Sequence, residues 1–432
     1  MLYYSLNHKA PEVNFRVAAT QGLAPDGGLY FPSFIPKLSK EWVDDLKNKS
    51  KEQIAFDVIQ PFVGNAIPEE MLFGICSETV DMDFPLQRIS EDKYALELFH
   101  GPTLAFKDTG ARFMSRCLAY FSRKSERNLT VLVATSGDTG SAVANGFLGI
   151  EGVNVVILYP SGKVSPMQEL QLAAIGGNVS ALEIRGNFDD CQAMVKQAFE
   201  DPFLQRKLVL TSANSINVAR WLPQQFYYFY ALRQWLHETP PVISVPSGNF
   251  GNLCAGLLAH ARGLPVMHFV AACNRNKPFT DYLRRGSFRP GVSLATISNA
   301  MDVGNPSNFV RILELFDHNH FQISKLISSY SISDHITAEA IWDVYKEYQY
   351  LMDPHGAVAY CALQSYQTQQ PGFPGIFLET AHPCKFRETV ESITGKSVEI
   401  PESQRKLLTR EKNSVLMNPN FENLKEYLLE NR

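Results

Sequence analysis

From residue 94 onward, short apolar runs alternate with longer segments in which apolar side chains recur every three or four positions. The runs 94–99, 130–134, 153–159, 179–184 and 208–210 are rich in Val, Ile and Leu and too short for helices, so they predict buried strands. The segments 108–121, 139–149, 166–175, 189–200 and 217–237 between and after them carry helical spacing. A second set follows, with strands predicted at 242–245, 266–271 and 376–379 and an apolar helix after Asn252. This order predicts parallel α/β layers arranged as two open α/β units. Residues 274–333 are less periodic and hold several Gly, Pro and Asn, so they are expected to elaborate the second unit. The N-terminal stretch differs: a turn-rich Pro25-Asp26-Gly27-Gly28 precedes helical patterning over 42–62, broken by Pro61 and Pro68. The predicted division is an N-terminal segment (1–93), a larger unit (94–111 and 222–432) and a smaller one (112–221).

Composition bounds what these units can be. The 432 residues exceed the roughly 250–300 that one core supports. With 45% hydrophobic and 19% charged residues the chain reads as a soluble globular protein. A formal charge of −4 gives no pull toward nucleic acid or an acidic membrane. No stretch reaches the roughly 18–20 apolar residues of a membrane span, and the first ten residues do not resemble a leader, so a cytoplasmic protein is expected. The seven cysteines are scattered, without a C-x-x-C pair or zinc-ligand spacing, which fits a reducing compartment and no metal. Small-molecule chemistry is the expectation that remains.

Six polar stretches fall at predicted strand ends, where open α/β sheets gather their ligands. Gly101-Pro102-Thr103-Leu104-Ala105-Phe106-Lys107-Asp108 places Lys107 at a strand-to-helix junction. A partly desolvated lysine there, near other positive groups, favours the neutral amine of Schiff-base chemistry, although a lysine in a first helical turn is ordinarily solvated. Thr135-Ser136-Gly137-Asp138-Thr139-Gly140 offers an anion-binding helix start, or simply a cap. Ser247-Gly248-Asn249-Phe250-Gly251-Asn252 has two glycines that let successive N–H groups converge on an oxyanion, and its spacing is not that of a dinucleotide fingerprint. Asn214-Ser215-Ile216-Asn217-Val218-Ala219-Arg220 supplies donors and a guanidinium for a second oxyanion. Ser161-Gly162-Lys163 and Thr380-Ala381-His382-Pro383 complete the set. A lysine between two phosphate cradles points to pyridoxal phosphate and a phosphorylated amino acid.

The combination F-H-G-P-T-L-A-F-K-D, T-S-G-D-T-G and S-G-N-F-G-N, with the opening Thr20–Pro32 stretch and the His382-Pro383 pair, resembles threonine synthases of the longer bacterial and fungal kind. The resemblance implies the tryptophan synthase β-like (fold type II) pyridoxal-phosphate architecture. It also implies a lyase that converts O-phospho-L-homoserine and water to L-threonine and phosphate. On it, Lys107 carries pyridoxal 5'-phosphate as a Schiff base, Ser247, Gly248, Asn249, Phe250, Gly251 and Asn252 grip the cofactor's phosphate, and Thr380 faces the pyridine nitrogen. Asn214, Ser215 and Arg220 would hold the substrate phosphate, with Ser136 near it and Lys163 a weaker candidate. A monomer is implied.

Asp138 stands where the wider group usually has Asn, and is either turned toward backbone N–H groups or protonated. Helix capping by Asp353 accounts for Asp353-Pro354-His355-Gly356 without a catalytic duty for His355. Two rivals remain: a phospho-lyase yielding 2-oxobutyrate, and a non-catalytic binding protein on the same scaffold, which would not need Lys107.

Overall fold

The strand runs form where β-branched and aliphatic residues concentrate. The computed structural model describes residues 1–123, 127–135 and 137–431. In chain order the strands are β1 (Leu2–Ser5), β2 (Val13–Asn14), β3 (Tyr30–Pro32), β4 (Leu86–Arg88), β5 (Lys93–Glu97), β6 (Leu129–Ala134), β7 (Val153–Pro160), β8 (Val179–Ile184) and β9 (Val209–Ser212). They continue with β10 (Val242–Pro246), β11 (His268–Cys273), β12 (Ile327–Ser331), β13 (Gly375–Glu379) and β14 (Ser414–Met417). One sheet has the order β12-β11-β10-β13-β5-β4 and a second the order β14-β8-β7-β6-β9. Both are parallel except for the edge strand β4, which pairs antiparallel with β5. A small antiparallel sheet, β2-β1-β3, sits in the N-terminal stretch.

This topology assembles the polar stretches. β5, β13 and β10 are neighbours, so the segments holding Lys107, Thr380 and Ser247–Asn252 leave one sheet side by side. β7, β6 and β9 are neighbours in the other sheet, so the segments holding Lys163, Asp138 and the 213–217 turn leave it side by side. Parallel strands end at a common edge, and loops that leave adjacent strands there share a crevice.

Three expectations change. The helix predicted over 217–237 is broken into Val218–Trp221, a 3₁₀ turn at Leu222–Gln225 and Phe226–Gln234, because Pro223 cannot donate a helical hydrogen bond. The 274–333 elaboration contributes a sheet strand, β12. The expectation that 222–432 all belongs to the larger unit fails at its end. β14 pairs with β8, and Met417, Leu424 and Leu428 join the apolar cluster of Leu132, Val156 and Leu182, covering the smaller sheet's edge.

Arg311, fully buried, ties the units together. It donates to Asn308 Oδ1 (2.7 Å) and to the carbonyls of Ser215 (3.3 Å), Ile216 (2.6 Å) and Tyr30 (3.1 Å), and its guanidinium lies 4.3 Å from the Trp221 ring centroid. Replacing it with Met would leave buried acceptors without donors, so Arg311→Met should lower stability by about 3 kcal/mol. Denaturant unfolding of the two proteins checks this.

Candidate active site

Lys107 opens the Lys107–Ser122 helix at the end of a turn held on three sides. Asp108 closes the turn by accepting from the Thr103 backbone N–H (2.8 Å) and hydroxyl (2.5 Å). The Phe106 N–H donates to the Thr380 carbonyl (2.9 Å) and the His382 N–H to the Leu104 carbonyl (3.0 Å). The Tyr227 hydroxyl donates to the Phe106 carbonyl. These bonds stitch the segment after β5 to the segment after β13 and set Lys107 close to Thr380. The Lys107 side chain is 19% exposed, with Nζ 3.7 Å from Asp138 Oδ2. Burial lowers its pKa; the Asp138 carboxylate opposes this, while Lys385 and Arg220 push further down.

Asp138 takes neither of the roles open to it from sequence. Its Oδ1 accepts from the ammonium of Lys385 (2.8 Å) and from the Gln168 amide (2.8 Å). Burial alone would raise this carboxyl, but Lys385, Lys107 and these hydrogen bonds hold it well below the usual range, so it is ionised. Lys385, with no exposed side-chain surface, also donates to the Thr103 carbonyl (2.8 Å). Neither Lys385 nor Gln168 was picked out from sequence, although Lys385 lies just past His382-Pro383.

The 247–252 stretch forms a tight loop opening the Gly251–Ala261 helix. Phe250 is left-handed at φ 60°, and Leu104 beside Lys107 is likewise at φ 57°, conformations that cost a non-glycine residue about 1–2 kcal/mol. Gly248 packs so closely under the 300–301 backbone that a Cβ would lie 2.8 Å from Met301 Cα. Among the described residues, the N–H groups of Gly248, Asn249 and Phe250 have no hydrogen-bond partner, and Asn252 Nδ2 is buried without one. Asn308, inside the stretch read as elaboration, clasps this loop: its N–H and side-chain amide donate to the Asn249 carbonyl (3.3 and 3.0 Å). The same amide donates to Ser215 Oγ (3.3 Å), linking the 247–252 loop to the 214–220 stretch.

Asn214 is anchored through Nδ2 to the Ala134 carbonyl (3.1 Å). Arg220 is buried, donates to the Ala213 carbonyl and keeps Nε without a partner. Burial lowers it to about 10, so it remains a cation at neutral pH. Its close neighbour is Gly110 of the Lys107 helix, where a Cβ would lie 2.6 Å from the Arg220 carbonyl oxygen. Lys163 is exposed beyond β7, and no hydrogen bond or ion pair of its side chain joins it to this group among the described residues. Ser136 lies outside the described residues.

His355 does more than follow a cap. Asp353 caps its helix by accepting from the His355 and Gly356 N–H groups (2.8 and 3.3 Å). The imidazole accepts from the Ala300 N–H at Nε2 (3.2 Å), so Nδ1 carries the proton given to Asp353 Oδ1 (2.5 Å). It thereby braces the backbone that packs on Gly248.

The sequence matches three families: threonine synthase N terminus over 2–80, pyridoxal-phosphate dependent enzyme over 84–374, and threonine synthase, C-terminal, over 356–428. It is 43% identical to the threonine synthase of Haemophilus influenzae over 99% of this chain and 100% of that one. The chain belongs to the threonine synthase family. The crystal structure of threonine synthase from Escherichia coli superposes over the full length of both chains with a TM-score of 0.94 at 41% identity. The pyridoxal-phosphate-bound threonine synthase of Brucella melitensis covers all of this chain at a TM-score of 0.93 and 32% identity. A tomato threonine deaminase, 16% identical at a TM-score of 0.57, shares the fold. The protein is therefore a pyridoxal-phosphate-dependent lyase of the fold expected from sequence. Its residues fit that cofactor: free N–H groups and an unpaired Asn252 amide at a glycine loop suit a phosphate, and Lys107 offers a desolvated amine.

Two outcomes follow. Gly248→Ala should weaken pyridoxal phosphate binding about tenfold, or ~1.4 kcal/mol, measured by titrating cofactor-free protein. His382, held down to about 4 mainly by burial and then by His100, stays neutral in the fold. Above pH about 6.5 it is neutral folded or unfolded and contributes nothing; as pH falls toward 4 the unfolded chain binds a proton that the fold refuses, so stability declines. His382→Asn, whose side-chain oxygen can replace the ring Nδ1 that accepts from the Cys384 N–H, should flatten this part of a plot of melting temperature against pH.

Proposed function

We propose that this enzyme converts O-phospho-L-homoserine and water to L-threonine and inorganic phosphate, with pyridoxal phosphate carried on Lys107. The observation that supports it best is the desolvated Lys107 amine, set near Thr380 on one side and Arg220 on the other. In this reading Ser247–Asn252 hold the cofactor phosphate and Thr380 faces the ring nitrogen, and a hydroxyl there leaves that nitrogen largely unprotonated. The cofactor supplies an electron sink conjugated to the substrate's α-carbon.

The chain's own groups then divide the work. Ser215 and Arg220, with Asn214 fixing their turn, hold the substrate phosphate; the unpaired Nε of buried Arg220 suits an oxyanion. Lys107 Nζ carries protons off the α- and β-carbons and back to the α-carbon and the methyl end. The Cγ–O bond breaks with its electrons leaving on phosphate, and water adds its oxygen at Cβ. Phosphate still held by Arg220 and Ser215 can take that water's proton. Asp138, with Oδ1 taken by Lys385 and Gln168, serves as a fixed negative charge. Ser136 belongs to the same loop by resemblance, and Lys163 is retained only as a cation at the rim.

The larger unit is read as residues 94–111 with 222 to about 405, and the smaller as 112–221 with the 414–431 tail. A cytoplasmic monomer acting on a small molecule and binding no nucleic acid completes the reading; the seven cysteines are free and buried, and among the described residues no helix is long and apolar enough to cross a membrane.

An assay that follows phosphate and threonine together tests this. Threonine and phosphate should appear in equal amounts, and Lys107→Ala should lower the rate by about 100-fold to 10,000-fold. Phosphate released with 2-oxobutyrate in place of threonine would identify the phospho-lyase instead. Arg220→Met should weaken use of the substrate about tenfold to a hundredfold, since a hydrogen bond to a charged group contributes about 1.5–3 kcal/mol.

A further inference from the structure

Two cationic side chains, Lys107 and Lys385, face one buried carboxylate, Asp138, and only Lys107 is assigned to the chemistry. Lys385 belongs to the Pro383–Phe386 turn, has no exposed side-chain surface, and spends its donors on Asp138 Oδ1 and the Thr103 carbonyl, each at 2.8 Å. Gln168 donates to the same Oδ1. Lys107 faces the other oxygen at 3.7 Å, beyond hydrogen-bond range.

We propose that Lys385 is a positioning residue for the Lys107 amine: it takes the close contact with Asp138 as its own, so that Lys107 keeps only a long 3.7 Å ion pair with this carboxylate and is not fixed by a hydrogen bond to it. The proposal rests on the reading of Lys107 as the cofactor's anchor. A lysine locked as an ammonium has no lone pair with which to attack a carbonyl or accept a proton.

The charges around the pair bear this out. Facing Lys107 are Asp138 from the Asp138–Phe147 helix, Arg220 from the Val218–Trp221 helix and Lys385 from its turn, so two cations oppose one anion. Facing Lys385 are Asp138, Lys107, His382 of its own turn and Asp108 of the Lys107 helix. Without Lys385, the nearest cation left to buried Asp138 is Lys107, and their mutual attraction in a desolvated setting is strong. The second bond of Lys385, to Thr103, ties down the turn that delivers Lys107, so position and charge are set by one side chain.

A purely structural tie and a charge partner differ in their pH dependence. The experiment measures the rate at which cofactor-free protein takes up pyridoxal phosphate covalently, read from visible absorbance across pH. Lys385→Met should shift this profile toward alkaline pH by about one unit, about tenfold slower below the midpoint, and reach the wild-type rate at the alkaline plateau. The double variant Lys385→Met with Asp138→Asn should return the profile to the wild-type midpoint. Slowing by the same factor at every pH, no displacement, or a double variant that stays displaced would overturn the proposal. Should Lys385→Met not fold, Asp138→Asn alone decides: it should move the profile toward acid pH, and an unmoved profile sinks the idea. Borohydride reduction and peptide mapping of the wild type keep the two claims separate. A label on any residue other than Lys107 removes the anchor reading itself, whatever the profiles do.

Discussion

A lysine that is to work as an amine must be taken out of water without being handed to a carboxylate, and most of this site serves that constraint. Burial drives Lys107 toward the neutral amine, and the nearby charge of Asp138 alone would hold it as a cation. The structure supplies both and then divides the carboxylate, giving Oδ1 to Lys385 and Gln168 and leaving Oδ2 at 3.7 Å from Lys107. The arrangement works only if three separate chain segments keep their relative positions to a fraction of an ångström. The bonds between the 104–106 and 380–382 segments provide that rigidity.

The rigidity has a visible cost in two left-handed residues, Leu104 and Phe250, one in each loop that would touch the cofactor. Neither is glycine, so the surroundings must hold each conformation in place. Leu104 is held by its carbonyl bond to His382 and its N–H bond to Gly101, and Phe250 packs its ring 4.8 Å from that of Phe279. Strain held in the turn before Lys107 and in the 247–252 loop is what loops shaped for a ligand would show.

The main strands were legible because buried parallel strands need continuous Val, Ile and Leu runs, and β8 spans the predicted 179–184 without change. β12 and β14 escaped notice: both are short edge strands whose membership depends on partners far along the chain. The candidate site residues divide in the same way. Lys107, the 247–252 loop and Arg220 announce themselves through local glycines and polar residues at strand ends. Lys385 and Asn308 act through contacts with distant segments, Thr103 and Asp138 for one and Asn249 and Ser215 for the other, and no local pattern marks them. Asp138 was ambiguous because its protonation is decided by Lys385, which only the fold brings beside it.

The N-terminal segment, in which no chemistry could be read, turns out to bear on the chemistry through the backbone. Asn217 spans from the Ser212 carbonyl to the Ala19 carbonyl, and Arg311 spans from Ser215 and Ile216 to Tyr30. The turn assigned to the substrate phosphate is therefore tethered to residues of the first thirty directly through Asn217 and by way of Arg311. A loop that must grip an anion and then tolerate its departure gains from anchors outside both sheets, since movement of one sheet against the other would not by itself loosen it. In the proposed reading, the segment's contribution is to hold the 213–217 turn as a fixed reference for Lys107.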